Sequence, residues 1–218
     1  MHRALPSKVM ITGGAGFIGS HLVDTLLASG HEIVAFDNFC TGQRRFLEQA
    51  SKSEKFTLIE GDLLDRQALH EALRGCGFVF HLAANADIRF GLEHPRKDLE
   101  QNTIATFNVL EEMRLHGIKR LAFSSTSAAL GEPSLFPTPE DCPCPIQTTL
   151  YGAAKMACEG LISSYCEGFG FEAYIYRFVS LVGERYPHGH VFDFCRQLFQ
   201  DSSHLKVLGN GKQRKSYL

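Results

Sequence analysis

Tyr151 and Lys155, in the segment LYGAAK, stand at positions i and i+4. On a helix that spacing puts a phenol and an ammonium on one face, within reach of one site. A phenol is a poor base, with a pKa near 10. A neighbouring cation favours the phenolate, and bringing it to about 7 asks for roughly 4 kcal/mol of preferential stabilisation. Upstream, the run FSSTS places Ser124, Ser125, Thr126 and Ser127 directly after an apolar stretch. A hydroxyl there could orient a substrate hydroxyl or relay its proton to Tyr151. Y-x-x-x-K is common by chance on helix surfaces, so the pair takes its meaning from the elements that hold it.

A second chemistry lies near the start, in KVMITGGAGFIGSHLVDTLL, residues 8–27. Gly14, Gly16 and Gly19 form G-x-G-x-x-G between an apolar run and an amphipathic one, and Gly13, Gly16 and Gly19 form G-x-x-G-x-x-G. One glycine makes the tight turn, another lets a pyrophosphate approach the backbone, and a third lets helix and strand pack closely. The helix N-terminus then offers N–H groups and a positive dipole end to the anion. The next apolar run, EIVAF, is followed by Asp37. An acidic side chain there accepts hydrogen bonds from adenosine ribose hydroxyls and repels a 2′-phosphate, which selects NAD over NADP. In EGDLLD, Asp62 sits where a strand end could meet the adenine.

The elements that must position these residues alternate. Strands are predicted at 8–12, 32–36, 56–60, 78–82, 120–124 and 172–178, with helices near 17–29, 65–74, 95–116 and 151–168. Strand, helix, strand in repetition predicts an α/β fold: a doubly wound, Rossmann-type parallel sheet with helices on both faces and right-handed crossovers. In such sheets ligands sit at the carboxyl ends of the strands, where the glycines, Asp37 and the Ser124–Ser127 run all fall. Beyond 178 the pattern gives way to a polar loop, and 191–200 reads as one more helix.

Bulk properties narrow the partners. The chain has 218 residues, 44% of them hydrophobic, with a net charge of -2 and no basic run, so nothing points to nucleic acid. No apolar stretch reaches the roughly 18 residues needed to span a bilayer. The start, MHRALPSK, lacks the apolar core of a signal peptide. Seven scattered cysteines read as reduced thiols of a cytoplasmic protein. Cys142 and Cys144 in CPCP, and His188 and His190 in PHGH, lack companions at ligand spacing, so no metal is expected. His81, at a strand end, reads as structural.

Together these residues resemble the extended branch of the short-chain dehydrogenase/reductases, the NAD-dependent epimerase/dehydratase family, and within it the UDP-glucose 4-epimerase-like enzymes. The stretches that carry the resemblance are TGGAGFIGSHLVDTLL, DNFCTG, GDLLD, HLAA, QNTIATFNVLE, FSSTS, YGAAK, YRF and LGNGKQRKSY, covering nearly the whole chain. The resemblance implies that Gly13, Gly16 and Gly19, with Phe17 and Ile18, hold the pyrophosphate. It implies Asp37 and Asn38 at the ribose, and Asp62 and Leu63 at the adenine. Leu82, Ala83, Ala84, Asn102 and Ser124 would line the cofactor, together with Tyr151 and Lys155. Thr126 and Tyr151 would be catalytic with Lys155, and Thr126 and Ser180 would touch a UDP-hexose. A homodimer through the helices near 95–116 and 151–168 is implied as well.

The subtype turns on the two residues after Thr126. Family dehydratases usually carry an acidic pair there and related decarboxylases a glutamate, whereas this chain has Ser127 and Ala128. Without a carboxylate, elimination lacks its proton donor, which favours epimerisation. Two departures favour an NAD-binding protein without turnover: Leu130 replaces an aromatic, and in RFVSLVGE Ser180 stands for an asparagine that contacts the nucleotide-sugar while Glu184 stands for a proline. The expected organisation is an NAD-binding domain over 1–178 and a partial substrate-binding region over 179–218, short of the usual family length. The alternatives are a non-catalytic NAD-binding protein, and a nucleotide-sugar dehydratase or oxidoreductase of the same fold.

Overall fold

In a computed structural model, residues 4–85, 90–135, 137–142, 146–186, 189–207, 209–212 and 216–218 are described, apart from the side chains of Phe90 and Leu92. Cys144 and His188 lie outside them. The chain divides into two compact units, Met1–Arg177 and Phe178–Leu218.

The first unit is built on six strands: β1 Lys8–Thr12, β2 Glu32–Asp37, β3 Phe56–Glu60, β4 Val79–His81, β5 Arg120–Thr126 and β6 Glu172–Phe178. They lie in the order β3-β2-β1-β4-β5-β6. The pairs β1–β2, β2–β3, β1–β4 and β4–β5 are all parallel. The order reverses between β1 and β4, the topological switch point at which such sheets bind ligands. Helices return the chain between strands: α1 Phe17–Ala28, α2 Arg66–Ala72, the short α3 Phe90–Glu93, α4 Pro95–Asp98, α5 Ala105–Leu115 and α6 Leu150–Phe169.

Alternation along the strands explains the layering. In β1 and β2, Val9, Ile11, Ile33 and Ala35 face α1, packing with Val23 and Leu26. Met10, Val34 and Phe36 point the other way, into a core shared with Leu69, Val109, Met113, Cys158 and Ile162 of α2, α5 and α6. Side chains of successive strand residues leave opposite faces, so one short strand feeds two cores. Buried Glu159 of α6 ties the sheet edge together. It accepts from the Ser125 hydroxyl of β5 and from Arg177 of β6, whose Nη2 lies 2.8 Å away.

The run predicted as one helix over 95–116 is segmented. Between α4 and α5 the turns widen into a π-helical stretch, Leu99–Ile104, which carries Asn102. Such π-turns recur at functional sites. In the second unit, α7 spans His190–Gln200, and Ser180 bridges to Tyr217. Leu218 N donates to Ser180 O at 3.0 Å.

Candidate active and nucleotide-binding site

The carboxyl ends of β1 to β5 carry most of the predicted residues, with Asn102 on the π-helical stretch and Tyr151 and Lys155 on α6; the glycine loop comes first. Gly13 takes a left-handed φ of +70°. A Cβ on it would stand 2.8 Å from Ala83 N, so the turn after β1 lies directly against the strand end HLAA. A Cβ on Gly19 would meet Gly13 O at 2.1 Å, so α1 starts against the loop as only glycine permits. Gly16 is the N-cap of α1, no side chain among the described residues caps it, and the first turn holds no acidic residue. An uncapped helix end with a positive dipole, bordered by glycine backbone, fits a pyrophosphate.

Asp37 does more than its spacing suggested. Its carboxylate accepts from Ala15 N at 2.9 Å and from Phe39 N at 2.8 Å, tying the glycine loop to the end of β2. Burial pushes its pKa up, and the two backbone bonds pull it back. Phe39 adopts φ +56°, unusual for a bulky residue, with Arg44 4.2 Å above its ring. Asn38 and Asp62, expected at ribose and adenine, are joined by a bond of 3.0 Å from Asn38 Nδ2. Gln101 also reaches the Asp62 carboxylate, at 3.3 Å. Leu63 is buried, and its carbonyl accepts from Asn108 Nδ2.

Thr12 is a hub that sequence reading missed. Its Oγ1 accepts from the backbone N–H groups of Leu82 and Ala83, both at 3.2 Å, and lies 2.7 Å from His81 Nδ1. The other ring nitrogen of His81 lies 3.0 Å from Thr106 Oγ1. Burial, with Lys155 adding to it, holds the His81 pKa down at about 3, so the ring is neutral and structural, as its position implied. Ala84 leads into Asn85, which Asn102 holds on both sides: Asn85 N donates to Asn102 Oδ1 at 2.9 Å, and Asn102 Nδ2 returns to Asn85 O. Asp98, four residues before Asn102 on the same face, accepts from both asparagine side chains.

The catalytic candidates meet where β5 faces the start of α6. Thr149 caps α6, its Oγ1 accepting from Gly152 N at 2.9 Å. A Cβ on Gly152 would press to 2.8 Å from Ala128 O, so this glycine lets α6 approach the turn Ser127–Leu130 that follows β5. That approach brings the Tyr151 hydroxyl beside the Thr126 side chain. Lys155 is 2% exposed, and its Nζ donates to Ser124 O at 2.7 Å and sits 4.5 Å over the Phe123 ring. Ser124 Oγ donates to His81 O at 3.4 Å.

The electrostatics differ from the sequence expectation that Lys155 draws Tyr151 toward phenolate. Burial dominates and pushes Tyr151 up to about 12, the Thr126 side chain opposes the rise, and the charge of Asp98 adds to it. Lys155 is itself pushed down to about 8 by burial. The two groups share one helical face, but the ammonium is engaged by the β5 backbone.

A family model described as the NAD dependent epimerase/dehydratase family matches residues 9–218. The chain belongs to that family. Its cofactor is NAD, and the uncapped helix end, the glycine loop and Asp37 are the parts that fit it. The UDP-glucose 4-epimerase of Corynebacterium glutamicum is 37% identical over 178 residues, covering 81% of this chain and 52% of that protein. UDP-glucuronic acid decarboxylase 1 of Danio rerio is 32% identical over 217 residues, covering 96% of this chain and 50% of that protein. The crystal structure of Thermus thermophilus UDP-glucose 4-epimerase in complex with NAD superposes with a TM-score of 0.78 at 33% identity, covering 88% of this chain and 63% of that one. The chain thus spans about half the length of these curated relatives. Among the described residues, no helix is long and apolar enough to cross a membrane.

Proposed function

We propose that the chain is the nucleotide-binding portion of an NAD-dependent nucleotide-sugar epimerase, acting at C4 of a UDP-hexose. In this reading Phe17, Ile18 and the loop glycines hold the pyrophosphate. Asp37 and Asn38 hold the ribose, Asp62 and Leu63 the adenine, and Leu82, Ala83, Ala84, Asn102 and Ser124 line the cofactor. Bound NAD supplies the acceptor and later the donor of a hydride. Tyr151 takes the proton of the sugar 4-hydroxyl, directly or through Thr126, and returns it after the keto-sugar has turned over in the site. Lys155 holds the β5 end through Ser124 and supplies positive charge beside the tyrosine. Ser180 touches the nucleotide-sugar. The reading includes a cytoplasmic homodimer, supported by six free cysteines among the described residues and by exposed Leu99, Ile104 and Phe107 on the segmented helix.

The observation that carries the proposal is the meeting of Thr126 and Tyr151 at the carboxyl end of β5, where Ser127 and Ala128 offer no carboxylate for elimination or decarboxylation. Burial of Tyr151 and its high pKa favour a second reading, an NAD-binding protein without turnover. An absorbance spectrum of the purified chain with NAD, before and after UDP-glucose and UDP-galactose, separates the two. A reduced-nicotinamide band that grows with sugar supports the epimerase. Bound NAD with no sugar-dependent reduction supports the second reading, and no bound NAD refutes both.

A further inference from the structure

We propose that His70, Glu112 and His116 form a binding site for a divalent transition metal of the Zn2+ or Ni2+ kind, joining the last turns of α2 and α5. These helices run back toward the amino ends of β4 and β5, away from the edge that carries the nucleotide site. Sequence reading assigned no metal; the only signal there was Glu112 followed by His116 at i+4.

The three side chains converge. One ligand atom from each lies within 4.8 Å of the others. The side chain of Glu112 is 4% exposed. Its Oε2 lies 2.9 Å from His70 Nδ1, and its Oε1 accepts from Arg66 Nε and Nη2 at 2.9 and 2.6 Å. The rings of His70 and His116 are 4.3 Å apart between centroids and tilted by 44°. A plain salt-bridge cluster accounts for Glu112, Arg66 and His70, but not for His116. Its Nε2 is buried and has no hydrogen-bond partner among the described residues. A buried polar atom without a partner carries a desolvation cost that a ligand bond would remove.

The donor set selects the ion. Two imidazoles and one carboxylate suit zinc, nickel or copper, whereas magnesium and calcium prefer oxygen alone. Tetrahedral zinc with bonds near 2.0–2.1 Å needs ligand atoms about 3.3 Å apart. His70, 43% exposed in its side chain, can turn to close that gap. Arg66 remains on Oε1 and orients the carboxylate, as an outer partner does, while Oε2 passes from His70 to the metal. Three protein ligands leave a fourth position for water. The metal would act as a staple between two helices of the same core, not as a reacting group.

The test titrates the whole chain with Zn2+ against a chromophoric indicator, and follows thermal unfolding and the imidazole signals in 1H-15N spectra. One saturable equivalent is expected, with movement of the His70 and His116 signals. The melting temperature should rise by roughly 5–10 °C at a hundredfold excess over Kd. His70→Gln and His116→Gln should each weaken binding about tenfold or more. Absence of saturable binding, affinity unchanged from the native chain in both variants, or signal changes confined to other histidines would overturn the proposal. If the variants fail to fold, the imidazole spectra of the unsubstituted chain decide alone.

Discussion

Replacing Gly19 by alanine adds one methyl group where the nucleotide loop has no room for it. The new Cβ would stand 2.1 Å from Gly13 O and 2.9 Å from both Gly13 C and Gly14 Cα. All three are backbone atoms, so no side chain can swing aside, and the loop must retreat by about 1 Å to reach ordinary contact. Overpacking of this kind typically costs about 1–3 kcal/mol. At about 2–4 °C per kcal/mol for a chain of this size, the melting temperature should fall measurably. The larger effect is on the cofactor. The retreat moves the backbone proposed to border the pyrophosphate, and a displacement of about 1 Å can cost on the order of a hundredfold. Gly160→Ala is the matched control: the same methyl in the middle of α6, with nothing within 4 Å of its Cβ. There the loss of unfolded-state freedom should win, stabilising by about 0.5–1 kcal/mol. Calorimetric titration with NAD and thermal unfolding by circular dichroism read both variants. If Gly19→Ala binds NAD as tightly as the native chain and melts at the same temperature, the close-approach argument fails.

Tyr151→Phe should leave NAD affinity within a few-fold of native while slowing sugar-dependent reduction by about 10²–10⁴; unchanged reduction in stopped-flow absorbance would remove Tyr151 from the chemistry. Asp37→Asn places an amide N–H₂ against the N–H of Ala15 or Phe39. About 1–3 kcal/mol of stability should be lost, and the preference for NAD over NADP should narrow in paired titrations. Lys155 titrates near 8 in the folded chain against 10.5 as the ordinary value. Between those values the unfolded chain binds more protons, so this group makes stability rise with pH across the window, by roughly 3 kcal/mol. Denaturant melts of the native chain and of Lys155→Met from pH 7.5 to about 10.5 should diverge in the native chain's favour as pH rises, and a constant difference would refute the buried-ammonium account.

Much of the first unit was legible because its signals are local. Short apolar runs set between amphipathic ones predicted six strands, and all six occur within two residues of their expected ends. The glycine spacing marked the seam between β1 and α1, because a tight turn and a close helix approach each need a residue without Cβ. The segmented helix was not legible. Apolar spacing through 95–116 reads as one helix, whereas the π-helical stretch that carries Asn102 is held by bonds to Asn85 and Asp98.

The sequence by itself determined the order of elements, the glycine seam between β1 and α1 and the residue types at each strand end, since these depend on neighbours a few positions apart. Only the tertiary structure decided how those residues are wired. Asp37 braces Ala15, Thr12 gathers Leu82, Ala83 and His81, and Gly152 lets Tyr151 reach Thr126. It also decided that burial raises Tyr151 while Ser124 O takes the Lys155 ammonium. These outcomes depend on desolvation and on contacts between segments far apart in the chain, and neither is written in local spacing.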